Sequence, residues 1–448
     1  MSESAHLESF QLGRFTVPRL WNGLWQLSSN AWGSAPAREI KKSMEVYAQR
    51  GYTAFDMVSL LPPTEKWRPY SLFPMAALLS THTHTHNHPD ITRETQIRRC
   101  IGGSLWQLGN SLCERLCLRS PASLLRRRQQ AGQFRNARAG PEKIVGATKW
   151  CVFDEKTVPT FELVSSAVKE RLDRMQSPSI DLLQFHWQHY NKPGYIDALR
   201  HLVALSDKGG RGETKISEIG LCNFDSERMD EICTELGPGV IVSNQVQFSL
   251  IDQRPRHAMA AVCKKHNVKL LTYGTLAGGL LSDEWLGKPE PHPYTSIDKP
   301  LTPSQRKYLD MIKKGWSPDF EDEQEQDEDE QQHQTGDSKA WLLFQELLRT
   351  LKAIGERHGG VTIANVATRW VLDHEFVGAV IVGTRMGITD HCDSNARVSQ
   401  FSLTDADHAQ IHRVLGMAQD PEHVSRQTFR KMGDCGAEYR MPERTGVY

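Results

Sequence analysis

A chain of 448 residues, 39% hydrophobic and 24% charged, is long enough to form one large α/β domain around a sizeable core. Its 54 Lys and Arg residues equal its 54 Asp and Glu residues, which excludes a general attraction to nucleic acid or to an anionic membrane. Nine cysteines stand without a CxxC pair or zinc-type His/Cys spacing, so reduced thiols and no metal are expected.

The amino terminus, MSESAHLESFQLGRF, is polar and acidic, unlike a secretory leader. No apolar run approaches the ~20 residues that span a bilayer, and the expectation is a soluble cytoplasmic protein. Residues Phe15 to Leu27 (FTVPRLWNGLWQL) suit a hairpin or a first strand around Asn22 and Gly23. Ile40, Met44 and Tyr47 then recur at helical spacing, Gly51 stops that helix, and YTAFDM reads as a strand ending on Asp56.

From Met57 to about Ala139 the helix and strand rhythm is lost. This tract holds Pro62-Pro63, the run THTHTHNH at 81 to 88, and the basic triplet Arg126 to Arg128. On a strand, His82, His84, His86 and His88 would share one face, an arrangement able to bind a metal ion. Alternating His-Thr is also what a CA dinucleotide repeat encodes, and translated non-coding sequence is the preferred reading.

The rhythm returns between Ile144 and Trp187, where IVGATKW and IDLLQFHW flank a helical span carrying Phe161, Val164, Val168 and Leu172. A right-handed β-α-β crossover makes the two strands parallel neighbours and carries Lys149 and His186 to the same carboxyl edge. That edge is where α/β folds keep their chemistry. Alone, the lysine reads as a solvated amine and the histidine as a packed residue; at equivalent positions of successive strands they point to a site.

Further strands are predicted at ISEIGLCNF, VIVSNQVQF, KLLTYG and VGAVIVGT, with helices over 195–205, 227–236, 257–266, 341–358, 363–372, 389–398 and 405–415. A second interruption, about 282–339, contains the run DFEDEQEQDEDEQQHQ, which is too polar to fold. Eight strands alternating with helices predict a TIM-type (α/β)8 barrel. The expected organisation is one barrel domain over residues 1–448, interrupted by an irregular tract at 57–132 and an acidic disordered loop at 316–339.

Several of these stretches, in this order, resemble motifs of the aldo-keto reductase family. GYTAFDM resembles its catalytic aspartate stretch, ATKW its lysine strand and LLQFHW its active-site histidine strand. GLCNF, SNQVQFSL and TYGTLAGGLL resemble its cofactor motifs, and AVIVGTR with HCDSN its final phosphate-binding signature.

The resemblance implies a barrel that binds a nicotinamide dinucleotide, usually NADPH, without a glycine-rich Rossmann loop, and reduces aldehydes or ketones to alcohols. By the same resemblance, Asp56, Lys149 and His186 belong to the catalytic group. Asn223 and Gln245 would hold the nicotinamide carboxamide, beside Cys222 at a position usually serine. Tyr273 would stack on the nicotinamide, with Leu276 in the following loop. Arg385 and Asn395 would grip the adenosine end, and the planar fork of Arg385 suits a 2′-phosphate. On their residue types alone, Asn223 equally suits a helix cap, Gln245 a backbone partner, Tyr273 a core residue and Arg385 an exposed cation.

One family feature is missing. The tyrosine that donates the carbonyl proton stands five residues after the aspartate in the family, and here that position is Leu61. Tyr70 is the nearest downstream tyrosine, in a context (EKWRPY) that fixes no geometry. Asp56 and Lys149 are also 93 positions apart, far more than in the family, and AGQFRN at 131–136 reads as the family sequence resuming. The tract at 57–132 therefore reads as a replacement of the tyrosine loop and second barrel helix. Two functions remain open: a reductase, or a barrel that binds NADPH without turning over.

Overall fold

The fold was obtained as a computed structural model, which describes residues 7–28, 32–57, 144–192, 194–209, 215–293, 300–316, 337–416, 428–429 and 432–439. The histidine run, Arg126–Arg128, Leu61, Tyr70 and nearly all of the acidic run's neighbourhood at 316–339 lie outside the described residues. So does the tract at 57–132, save Met57.

The chain begins as an antiparallel hairpin, β1 (Ser9–Leu12) with β2 (Phe15–Pro18), turned at Gly13. Gly13 has φ +55° and lies against the Glu218 carboxylate, so a side chain there would both strain the turn and collide. Leu12, Phe15 and Val17 pack against Trp21, Ala54, Val145, Leu182, Leu271 and Ala379, which face the inside of the barrel. The hairpin thus plugs the end opposite the carboxyl edge. It precedes the first barrel strand, so FTVPRLWNGLWQL supplies both a hairpin arm and that strand.

Eight strands close the barrel: β3 (Leu20–Gly23), β4 (Ala54–Asp56), β5 (Val145–Val152), β6 (Ile180–Trp187), β7 (Ile216–Cys222), β8 (Ile241–Gln247), β9 (Lys269–Tyr273) and β10 (Val377–Gly383). All neighbours are parallel, and β10 returns to β3 with Val380 opposite Leu20 and Gly383 opposite Gly23. The predicted (α/β)8 barrel is the observed fold.

Helices cover the outside: α1 (Ala37–Gln49), α2 (Phe161–Met175), α3 (Tyr195–Ala204), α4 (Ser226–Leu236), α5 (Met259–His266), α6 (Pro303–Trp316), α7 (Lys339–Arg357), α8 (Ile363–Leu372), α9 (Cys392–Ala396) and α10 (Asp405–Leu415). In α2 the Thr160 side chain accepts from the Leu163 amide at 3.3 Å and starts the helix, while Val164 and Val168, one turn apart, are buried against the sheet. Each such valine contributes about 1.5–3 kcal/mol, and a charged residue at 168 would break the contact.

Helix α6 corrects the sequence reading, which left all of 282–339 irregular. Thr302 and Gln305 form a reciprocal cap ahead of it, and Tyr308, Leu309, Ile312 and Trp316 bury one face. The neighbouring polar run obscured that helical period. The predicted helix at 389–398 is a short turn of α-helix followed by a 3-10 turn at Arg397–Gln400. No described helix is long and apolar enough to cross a membrane.

Candidate active site

Strand alternation decides which side chains enter the barrel mouth. On β5, Val145 and Ala147 face inward below Lys149; on β6, Leu182 faces inward below Gln184 and His186. The β5–β6 register sets Lys149 opposite Gln184 and Cys151 opposite His186. Lys149 and His186 are therefore offset by one inward step, a consequence of strand stagger in a closed barrel, and Gln184 lies directly beside the lysine.

Asp56 at the end of β4 and Lys149 are 4% and 8% exposed and form a direct pair. Lys149 Nζ lies 2.8 Å from Oδ1 and 2.5 Å from Oδ2 of Asp56. Burial alone pulls the ammonium down, but the carboxylate outweighs it and holds Lys149 above its ordinary value. The lysine thus stays charged at neutral pH. Gln184 Nε2 donates to Asp56 Oδ1 at 2.7 Å, and Gln245 Nε2 donates to Gln184 Oε1 at 2.8 Å. A continuous chain therefore runs from Gln245 through Gln184 and Asp56 to Lys149.

His186 Nδ1 meets the Cys222 carbonyl at 2.9 Å, and Nε2 meets Gln188 Oε1 at 3.1 Å. The first contact fixes the ring plane and directs Nε2 toward the mouth. Cys222 is buried, which pushes its thiol up and keeps it neutral and unreactive.

Asn223, just past β7, has φ +58°, a left-handed conformation that asparagine tolerates better than most residues. Its Oδ1 accepts from Tyr273 OH at 3.0 Å. Among the described residues, Asn223 Nδ2 and Gln245 Oε1 have no hydrogen-bond partner. One donor and one acceptor are what a carboxamide requires. Tyr273 is half-buried at the end of β9, and Leu276 leads into the turn Ala277–Gly279, partly buried against the core.

At the adjacent end of β10, Thr384 is tied to Gly23 through its amide at 2.9 Å. Arg385 follows it, half-buried, and among the described residues its guanidinium has no ion-pair or hydrogen-bond partner. Asn395 lies in α9, which is tied to the start of β4 because Tyr52 OH donates to the Cys392 carbonyl at 2.7 Å. The donor set thus suits a dinucleotide, with carboxamide partners at one end and a free fork for phosphate at the other.

The fold therefore brings Asp56, Lys149 and His186 to one edge with Cys222, Asn223, Gln245 and Tyr273, and carries Arg385 at the neighbouring strand end. Sequence reading missed Gln184, although its period-two relation to His186 was visible. It also missed Gln188, Lys307 and the terminal segment Asp434–Tyr439, which no motif marks. Among the described residues no group of three or more His, Cys, Asp or Glu residues could hold a metal ion.

Comparison with known proteins places these features in a family. Similar curated proteins include methylglyoxal reductase DkgA of Yersinia pestis, 29% identical over 113 residues, which are 25% of this chain and 38% of that protein. Aldo-keto reductase YhdN of Bacillus subtilis is 22% identical over 55% of this chain and 62% of its own. Flagellar radial spoke protein 5 of Chlamydomonas reinhardtii is 26% identical over 43% of this chain and 33% of its own. The chain thus spans less than two thirds of each. A glycerol dehydrogenase from Gluconobacter oxydans shares the fold, with TM-score 0.56 and 18% identity over 93% of this chain and 96% of its own. The model of the Aldo/keto reductase family matches residues 127–415, well over half of the sequence, and the chain belongs to that family.

Proposed function

We propose that the protein is an NADPH-dependent reductase of aldehydes or ketones. The buried Lys149–Asp56 pair, continuous with Gln184 and Gln245 at the barrel mouth, carries this reading. When bound, NADPH would supply the hydride that the carbonyl carbon gains. Asn223 Nδ2 and Gln245 Oε1 would hold its carboxamide, Tyr273 and Leu276 would line the nicotinamide, and Arg385 with Asn395 would hold the adenosine end.

His186, its ring fixed by the Cys222 carbonyl, would orient the substrate carbonyl and polarise it. The oxygen must gain a proton as the carbon gains hydride. With Leu61 at the family's tyrosine position, Lys149 and His186 are the candidate proton donors among the described residues, since the Tyr273 phenol is engaged with Asn223 Oδ1. A site without a dedicated general acid would turn over about 10² to 10⁴-fold more slowly than one that has it.

That same leucine favours a second reading, a barrel that binds NADPH without turning over. One experiment separates the two: NADPH fluorescence titration of the full chain, followed by NADPH oxidation in the presence of methylglyoxal and a panel of aldehydes and ketones. Binding with carbonyl-dependent oxidation supports the reductase. Binding without oxidation supports the second reading, and no binding removes both. Sequencing the expressed transcript across codons 50 to 150 shows whether a tyrosine follows Asp56 in the mature message.

A further inference from the structure

The last described segment, Asp434–Tyr439, lies across the residues just assigned to the nicotinamide. Gly436 has φ +81° and packs so closely on the Asn223 backbone that an added methyl group would collide with the Asn223 carbonyl. The Tyr439 ring meets Tyr273 in a T-shaped edge contact, with centroids 6.3 Å apart and planes at 65°. A nicotinamide stacked on Tyr273 would compete for this space.

The segment is held at several points. Asp434 Oδ2 accepts from the Ser226 amide at 2.8 Å, and Glu438 Oε2 accepts from Arg254, itself fully buried, at 2.9 Å. Lys307 Nζ, from α6, donates to Tyr439 OH at 2.7 Å and to Gln247 Oε1 at 2.9 Å. Gln188 Nε2 donates to the Tyr439 carbonyl, and the same amide's oxygen faces His186 Nε2. Thus the segment touches the partners of both the cofactor residues and the substrate-orienting histidine.

The attachment is incomplete. Glu438 Oε1 is buried without a hydrogen-bond partner, a cost that opposes closure. Arg254 keeps two bonds to Asp252, at 2.8 Å each, when Glu438 leaves. Opening would break the Arg254–Glu438 pair and the bond from Arg254 to the Asp434 carbonyl at 3.2 Å, while Asp252 remains as the counter-ion of Arg254.

We propose that Asp434–Tyr439 is an autoinhibitory strap that closes the nicotinamide end of the site, and that dinucleotide binding requires its displacement. This rests on reading Asn223, Gln245 and Tyr273 as nicotinamide-binding. A strap closed in most molecules weakens the apparent affinity by the fraction that is open.

The test uses the full chain with Gly436→Ala, which prises the strap off Asn223, and separately Glu438→Gln, which removes its ion pair. NADPH binding is followed by fluorescence titration and stopped flow. Both variants are expected to tighten NADPH binding by about 10 to 100-fold, the inverse of an open fraction of about 0.01 to 0.1. The parent chain is expected to show an association rate that levels off with NADPH concentration, set by strap opening, and the variants a rate that keeps rising. Equal affinities and equal kinetics in parent and variants overturn the strap while leaving the cofactor site standing. No binding by any of the three overturns the cofactor reading and the strap with it.

Discussion

Lys149 reaches both oxygens of Asp56 from the adjacent strand, although 93 positions of chain separate the two residues. The pair is buried, so neither charge can be solvated once its partner is gone. Lys149→Met should therefore destabilise the protein by about 3–5 kcal/mol in urea unfolding. Adding Asp56→Asn should recover most of that loss, since the amide oxygen still accepts from Gln184 and no unpaired charge remains. A double variant as unstable as the single would show that the charge is not what the lysine balances.

Gln184 satisfies two partners at once, Asp56 Oδ1 and Gln245 Nε2. Gln184→Leu is nearly isosteric but leaves the Gln245 donor buried and unmatched. The expected cost is about 1–3 kcal/mol of stability, together with weaker NADPH binding as Gln245 loses its position. Unchanged urea midpoint and unchanged NADPH affinity would show that the chain of amides is incidental.

The barrel, and the strand ends at which the candidate site residues gather, were legible because they rest on local signals. The alternation of IDLLQFHW sets which residues face inward, and its apolar flank fixes where the strand sits. Thr160, Asp225 and Thr404 each precede a helix they cap through a backbone amide. The register was not legible: that Lys149 faces Gln184, not His186, follows from barrel stagger, which no single strand encodes. The strap was hidden for a related reason. Arg254 and Glu438 meet across 184 positions, and nothing near Glu438 in the sequence announces a partner.

His374, just ahead of β10, gives the fold an acid-sensitive point that is not among the candidate site residues. Its ring lies 4.6 Å from Trp370 and 5.0 Å from Phe248, and Nδ1 meets the Trp370 carbonyl at 2.9 Å. Burial, reinforced by the positive charge of Arg256, pushes its pKa down to about 4 from an ordinary 6.5. Between those values the unfolded chain binds more protons than the folded one, so stability is complete above pH 6.5 and declines as pH falls toward 4. The expected loss by pH 5 is about 2 kcal/mol. Urea unfolding at pH 7.5 and pH 5 should show a smaller difference for His374→Phe than for the parent, and an unchanged difference would assign the acid sensitivity elsewhere.

Arg385 is predicted to discriminate between the two nicotinamide dinucleotides. Its guanidinium is half-buried and partnerless among the described residues, at the end of a strand anchored to its neighbour through Thr384. NADPH differs from NADH by a 2′-phosphate, which a planar fork binds through paired charge-assisted hydrogen bonds. Bonds of that kind contribute about 1.5–3 kcal/mol, and each 1.4 kcal/mol is tenfold in affinity. Arg385→Ala should thus weaken NADPH binding by about 10 to 100-fold and leave NADH binding within about twofold. Arg385→Lys should recover only part of the loss, because an ammonium keeps the charge without the fork. Equal weakening of both dinucleotides would instead mean that Arg385 shapes its loop and does not read the phosphate.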